Sequence, residues 1–145
     1  MKPEVEVTIR GDSDVVAARQ AGRSLAAELP FTSTELTFIA TAISEVARNI
    51  LQYAGTGTVW CRLVENGDRS GIEVEAVDRG PGIVDTEQAL KPGFSTGGSL
   101  GLGLSGAKNL MDEFTLWSQV GEGTRVTMRK WARRSTLAER ARELI

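Results

Sequence analysis

Two pairs of strand-forming segments, each joined by a tight turn, occur in the middle and near the end of the 145-residue sequence. Residues 57–65 and 71–78 flank an Asn-Gly pair at residues 66–67, which is typical of two-residue hairpins. Residues 114–120 and 124–131 flank a second, glycine-containing turn. Because strands joined by tight turns run antiparallel, the sequence predicts a largely antiparallel sheet.

Helical periodicity dominates the sequence before these hairpins. Alternating apolar residues over 5–9 predict one further strand, and an amphipathic pattern over 14–29 predicts a helix. Thr32 and Glu35 form a capping box that begins a second, longer helix. This helix is expected to end near Tyr53, before a glycine.

A glycine-rich loop and a short helix complete the predicted fold. Residues 79–106 are mostly loop with one helical turn over 85–90, and residues 105–112 form a helix. The order β-α-α-β-β-loop-α-β-β predicts an α+β fold. It is a two-layer α/β sandwich whose helices lie on one face of a mostly antiparallel sheet. We expect one domain over 1–132 and a helical tail over 133–145, where apolar residues recur at helical spacing.

The residue types that the sequence lacks exclude several classes of function. With no histidine, the chain has no Ser-His-Asp hydrolase site, no histidine-ligated metal and no phosphohistidine of its own. Its one cysteine, Cys61, excludes an internal disulfide and fits a reducing compartment. No apolar run approaches the roughly 20 residues of a membrane span, and residues 1–4 lack the apolar core of a signal peptide. We therefore expect a cytoplasmic protein with no membrane partner.

Charge is unevenly distributed along the sequence. Residues 125–145 carry seven basic side chains and two acidic ones, whereas residues 1–124 have a net charge of −7. A basic end can bind nucleic acid, but a solvated strand and tail is the usual alternative. Since no base-reading motif accompanies the charge, we expect no direct binding of nucleic acid.

The second predicted helix carries a polar pair opposite its apolar stripe. Glu45 and Asn49 lie four residues apart, and both are more than about 100° from the centre of the stripe at Ile43. An asparagine carbonyl can ligate Mg²⁺ beside a carboxylate that accepts a proton. The alternative is an ordinary solvated helix face.

A second candidate position is Asp78, at the end of the central hairpin. It shares its parity with the aliphatic residues of 72–76, so its carboxylate faces the buried side and needs hydrogen-bond donors. Arg79 is one candidate partner. The glycines at Gly80 and Gly82 are instead expected to leave space for a ligand amino group, such as the N6 amine of adenine.

The third candidate is the glycine-rich loop, since eight of the sixteen glycines fall within residues 80–106. Residues 101–106 match the dinucleotide-binding pattern G-x-G-x-x-G, but no strand precedes them, and no Gly-Lys-Ser/Thr of a P-loop is present. A lid over 93–104 fits better. Its backbone amides and the N-terminus of the following helix would hold phosphates, and a plain surface loop is the alternative.

Together these motifs resemble the nucleotide-binding boxes of the GHKL ATPase/kinase superfamily. The matching segments are Glu45-x-x-x-Asn49 (N box), Asp78-x-Gly80-x-Gly82 (G1 box), Gly101-x-Gly103-Leu104 (G2 box) and the closing Gly121-Glu122-Gly123-Thr124. Within the superfamily, the chain is most similar to the anti-sigma-factor serine-kinase branch, in particular to the RsbT-type switch kinases of the bacterial stressosome. The resemblance covers about residues 4–132 and implies the Bergerat sandwich fold.

This resemblance implies a site for ATP and Mg²⁺. Glu45 would be the catalytic base, Asn49 would bind Mg²⁺ and the nucleotide, and Asp78 would accept a hydrogen bond from the adenine amine. The other nucleotide-binding positions that it implies are Gly80, Gly82, Ile83, Gly101, Gly103, Leu104 and Thr124.

The same resemblance implies an ATP-dependent protein-serine kinase. Its substrate would be a STAS-domain protein of a stressosome scaffold, and the released kinase would bind and activate a PP2C-type phosphatase. Histidine-kinase catalytic domains share the boxes, but this chain has neither the receiving histidine nor the dimerisation helices. The alternative is an anti-sigma factor that sequesters a sigma subunit and uses nucleotide as a conformational cofactor.

Overall fold

The computed structural model describes residues 4–91 and 103–132 of the chain. Within these ranges the order of elements is β-α-α-β-β-α-α-β-β. The strands are β1 (Glu4–Ile9), β2 (Gly57–Asn66), β3 (Arg69–Asp78), β4 (Glu113–Gln119) and β5 (Gly123–Trp131). The helices are α1 (Asp12–Ala26), α2 (Ser33–Tyr53), α3 (Thr86–Ala89) and α4 (Gly103–Leu110). The predicted tail over 133–145 lies outside the described residues.

The five strands form one antiparallel sheet in the spatial order β1-β2-β3-β5-β4. Both predicted hairpins are present. In the first, Asn66 pairs with Arg69, so the turn consists of residues 67–68 and lies one residue later than predicted. Because β5 inserts between β3 and β4, Asp78 at the end of β3 lies opposite Thr124 at the start of β5.

Local side-chain hydrogen bonds fix the starts of the two long helices. The Asp14 carboxylate accepts hydrogen bonds from the N–H groups of Arg10 and Gly11, at 2.8 and 3.1 Å. Helix α1 therefore begins before residue 14, the predicted start, and it ends at residue 26 instead of 29. Helix α2 has the predicted capping box, in which Thr32 and Glu35 each accept a hydrogen bond from the other's backbone N–H.

The apolar core lies between the sheet and the helices, which pack on one face as predicted. Its largest fully buried side chains are Ile9, Ile39, Ile43, Val46, Ile50, Val59, Cys61, Ile72, Val74, Val126 and Met128. None of the helices in the described ranges is long and apolar enough to cross a membrane.

The other face of the sheet carries a row of alternating charges across all five strands, which we call the charge ladder. Its members, opposite one another in neighbouring strands, are Glu4, Arg62, Glu73, Arg129 and Glu113. Neighbours in the ladder form ion pairs with N···O distances of 2.7–3.5 Å. Arg129, the ladder residue that comes from the basic end of the chain, is thus paired with carboxylates on both neighbouring strands.

Candidate functional site

The polar pair of α2 lies on a face that α4 covers. Glu45 is only 6% exposed to solvent. Ala42 and Val46, on the same side of the helix, are also buried. Asn49, one turn later, is half-buried. The alternative of a solvated helix face is therefore wrong for Glu45, because α4 packs closely against α2.

Both carboxylate oxygens of Glu45 have partners. Oε2 accepts a hydrogen bond from the backbone N–H of Gly103, the first residue of α4, at 2.8 Å. Oε1 accepts one from Nη1 of Arg48 at 3.0 Å. A buried carboxylate requires such donors, and a negative charge at a helix N-terminus is stabilised by the free N–H groups there. Glu45 thus links α2 to the N-terminus of α4.

A cavity of about 380 Å³ lies beside this link, between α2, α4 and the segment that leads into α3. This volume is in the range of small-molecule sites. Six of the predicted residues line it: Glu45, Asn49, Gly82, Ile83, Gly103 and Leu104. The lining also includes Arg48, Gln52, Tyr53, Val84, Asp85, Gln88 and Ala89, which sequence reasoning did not single out.

Asp78 forms a second cluster at the adjoining end of β3. Its side chain is 7% exposed, and Oδ1 accepts a hydrogen bond from the backbone N–H of Gly80 at 2.9 Å. Within the described residues it forms no ion pair, so the alternative of an Arg79 partner is not realised. Burial raises the pKa of Asp78 above its ordinary value of 3.8, and the N–H groups of Gly80 and Thr124 offset part of that increase.

The structure brings Asp78, Gly80 and Thr124 together, but these three residues do not line the 380 Å³ cavity. The expected empty space at Gly80 is also absent. A Cβ atom there would lie 2.6 Å from Cβ of Ala54 at the end of α2. Gly80 is therefore a point of close packing between the turn and the helix, and it does not open a space for a ligand.

Ser118 joins the two clusters, and no sequence pattern pointed to it. Its Oγ accepts a hydrogen bond from the N–H of Ile83 at 2.7 Å and lies 2.8 Å from Oγ1 of Thr124. Ser118 lies opposite Thr124 in the register of β4 and β5. Only the pairing of two strands reveals this contact, so the single sequence carried no signal for it.

Two of the expectations fall on residues that the structure does not describe. Gly101 and most of the lid over 93–104 lie outside the described residues. Of the lid, only Gly103 and Leu104 can be placed, and both line the cavity. The phosphate-binding role of the lid therefore stays a prediction.

The oxygen donors at the cavity suit Mg²⁺ that is bound chiefly through phosphates and water. The Asn49 amide and the Glu45 carboxylate line the cavity together, and Mg²⁺ typically uses one or two protein oxygens at nucleotide sites. The described ranges contain no cluster of three or more acidic, cysteine or histidine side chains that could hold a metal by themselves. The residues thus fit an Mg²⁺ ion that enters the site together with a bound nucleotide.

Comparisons with known proteins show the family to which the chain belongs. A family model described as "Histidine kinase-like ATPase domain" matches residues 11–130. The chain is 49% identical over 127 residues to "Serine/threonine-protein kinase RsbT" of Bacillus subtilis, which covers 88% of this chain and 96% of that protein. It is 33% identical over 126 residues to "Anti-sigma F factor" of Caldanaerobacter subterraneus, which covers 81% of this chain and 85% of that protein.

Solved structures support the fold. The crystal structure of the RsbU and RsbW domains of a Mycobacterium tuberculosis protein matches with a TM-score of 0.63 and 20% identity, over 90% of this chain and 33% of that chain. At this identity the likeness concerns the fold alone. The family model and the high identity to RsbT go further and confirm the resemblance seen in the sequence. The chain belongs to the family of histidine kinase-like ATPase domains and, within it, groups with the RsbT-type serine/threonine-protein kinases.

Proposed function

We propose that the chain is an ATP-dependent protein-serine kinase whose substrate is a serine of a STAS-domain protein in a stressosome scaffold. One observation carries the proposal. Glu45 and Asn49 line a 380 Å³ cavity at the N-terminus of α4, in a chain that is 49% identical to a serine/threonine-protein kinase. Phosphoryl transfer depends mainly on positioning and electrostatics, which such a buried polar site can provide.

In the proposed reaction, the serine oxygen attacks the γ-phosphorus of ATP. The new bond joins this oxygen to phosphorus, while the bond from phosphorus to the β,γ-bridging oxygen breaks and ADP leaves with the electron pair. The hydroxyl proton passes to a carboxylate oxygen of Glu45, the catalytic base. Each oxygen of Glu45 accepts one hydrogen bond, so a lone pair remains on each oxygen to take the proton.

We assign the nucleotide to two connected regions of the site. Asn49 would hold Mg²⁺ through its amide oxygen, and the ion would neutralise charge on the phosphates. Asp78 would accept a hydrogen bond from the adenine amine, next to Thr124. The other residues assigned to nucleotide binding are Gly82, Ile83, Gly101, Gly103 and Leu104, while Gly80 would act through its N–H, which donates to Asp78.

The partners of the kinase follow from its similarity to the RsbT-type branch. After phosphorylating its STAS-domain substrate, the kinase would be released and would bind a PP2C-type phosphatase. We place it in the cytoplasm, where ATP and such scaffolds are found. The domain over 1–132 would carry the catalytic site, and the tail over 133–145 would lie outside it.

Phosphate transfer in a lysate tests the proposal directly. The purified chain is incubated with ATP labelled at the γ-phosphate in a lysate of its own cells, and labelled proteins are identified by mass spectrometry. We expect one labelled STAS-domain protein with phosphoserine. A chain that binds ATP but labels no protein would contradict the kinase function.

A second function is favoured by the matches to anti-sigma F factors, at 33% and 32% identity. Such a protein acts by binding a sigma subunit, and proton transfer is unnecessary for binding. A Glu45→Gln variant would therefore retain full biological activity under this alternative, whereas it would lose most of its activity as a kinase.

A further inference from the structure

We propose that Arg48 binds the terminal phosphate of ATP and exchanges its contact with Glu45 for this phosphate. This inference deepens the proposed kinase function and rests on it. Arg48 lies on α2, immediately before Asn49, and lines the same cavity. No pattern in the sequence had pointed to a function for Arg48.

The guanidinium group of Arg48 has hydrogen-bond donors that are available to a ligand in the cavity. Its side chain is 48% exposed, and in the described part of the chain only Nη1 is engaged, with Oε1 of Glu45 at 3.0 Å. A guanidinium group carries five N–H donors arranged in a planar fork. Four of them are therefore available in a group that commonly binds phosphate through two parallel hydrogen bonds.

The two groups that hold Glu45 are both of a kind that binds phosphate. They are a guanidinium and a backbone N–H at the N-terminus of an eight-residue helix. The buried carboxylate of Glu45 thus occupies donors that an entering phosphate can use. Its contact with Arg48 is the easier one to exchange, because Arg48 is long and half-exposed, while the N–H of Gly103 belongs to the backbone.

The position of Arg48 indicates which phosphate of ATP it would bind, namely the γ-phosphate. A base must lie within hydrogen-bond reach of the serine hydroxyl, and that hydroxyl attacks the γ-phosphorus. Since Arg48 contacts the base itself, its guanidinium is next to the phosphate that is transferred. ADP lacks this phosphate, so a change at Arg48 should affect ATP and ADP differently.

Binding measurements test this without any turnover. The affinities of Mg²⁺ with AMP-PNP, a non-hydrolysable ATP analogue, and of Mg²⁺ with ADP are compared by titration calorimetry. Arg48→Ala should weaken AMP-PNP binding about tenfold or more, as expected for a lost charge-assisted hydrogen bond, and change ADP binding less than about twofold. Arg48→Lys should lie between the two. Arg125→Ala is the matched control, because Arg125 is 58% exposed and pairs with Glu75 at 3.9 Å on the opposite face of the sheet.

A second comparison isolates the exchange. Glu45→Gln should tighten AMP-PNP binding several-fold, since it frees Arg48, and this gain should vanish in the Arg48→Ala background. A gain that persists there would reflect simple charge repulsion and would overturn the exchange. If Arg48→Ala weakened the affinities for AMP-PNP and ADP equally, or weakened neither, the γ-phosphate assignment would be overturned. If the native chain bound neither nucleotide, the kinase proposal itself would fail.

Discussion

At the scale of single residues, Asp78 is the side chain that we propose recognises the adenine amine. Asp78→Asn replaces one acceptor oxygen with a donor that faces the adenine amine. We expect ATP affinity to fall about 30- to 1000-fold, or roughly 2–4 kcal/mol, because a charge-assisted bond is lost and two donors oppose each other. Calorimetric titration of ATP measures this change.

The same substitution should leave the fold intact. The pKa of Asp78 is raised by burial, so protonation stabilises the folded state and the ionised carboxylate costs stability at neutral pH. A neutral amide removes that cost, so the melting temperature should not fall. GTP serves as the ligand control, since guanine presents an acceptor where adenine presents the amine. Equal affinities of the native chain for ATP and GTP would rule out Asp78 as the adenine partner.

Glu45 and Asn49 are expected to fail in different ways although they lie one turn apart. Glu45→Gln should bind nucleotide at least as tightly as the native chain and slow serine phosphorylation by about 10²- to 10⁴-fold, which is the usual contribution of a general base. Asn49→Asp places a charge where a neutral oxygen would hold Mg²⁺ and should alter metal-dependent nucleotide binding itself. Glu28→Gln, an exposed change just after α1, is the control for both. Phosphorylation at the native rate by Glu45→Gln would leave Glu45 as a structural cap of α4 only.

The sequence was informative at this scale where a residue's setting is local. The parity of β3 predicted that Asp78 faces the core, and the structure confirms its burial. The burial of Glu45 was not readable, because it depends on α4, which is separated from it by more than fifty residues. Arg48 and Ser118 were missed for the same reason, since their contacts require packed neighbours.

At the scale of elements, the turn after β3 is tightly docked on the β4–β5 hairpin. Gly82 has φ +79°, and a Cβ there would meet the carbonyl oxygen of Gln119. Gly82→Ala should therefore lower the free energy of unfolding by more than about 1–2 kcal/mol, which is the cost of a left-handed backbone alone. Gly121→Ala is a matched control, because Gly121 has φ +83° but open space around its Cβ position. Urea unfolding of both variants measures the difference, and equal losses would show that the contact with Gln119 relaxes freely.

Element boundaries show what the pattern could and could not predict. The start of α2 was correct because its capping box lies within four residues of sequence. The end of α1 and the first hairpin turn were displaced by one to three residues. At these positions several conformations satisfy the local pattern, and tertiary packing selects one of them. The relation between α2 and α4 lay beyond any local signal.

At the scale of the whole molecule, the sheet order connects the two parts of the site. The insertion of β5 between β3 and β4 places Thr124 beside Asp78, and Ser118 then links Thr124 to the segment at Ile83 that lines the cavity. The sequence predicted two hairpins and an antiparallel sheet but gave no order for them. The motifs are thus close in space because of the order of the strands in the sheet.

The charge ladder spans the same sheet on its open face and should make the stability of the molecule depend on acid pH. Burial alone would raise the pKa of Glu73, but hydrogen bonds and charges from Arg62 and Arg129 outweigh it and hold the pKa below its ordinary value of 4.5. The ionised form is thus favoured by folding. Its contribution is complete above about pH 4.5, the unfolded value, and is lost as pH falls through the lower folded value.

Glu73→Gln tests this dependence. At pH 7 the substitution should lower the free energy of unfolding by about 1–2 kcal/mol, because two arginines lose their shared partner. Below the folded pKa both proteins are uncharged at this position, so the difference should shrink toward zero. Urea unfolding from pH 7 down to pH 3 provides the measurement, with Glu28→Gln as an exposed control outside the ladder. A difference that stayed constant over this range would show that Glu73 stabilises the sheet by packing, and that the ladder's charges contribute nothing measurable.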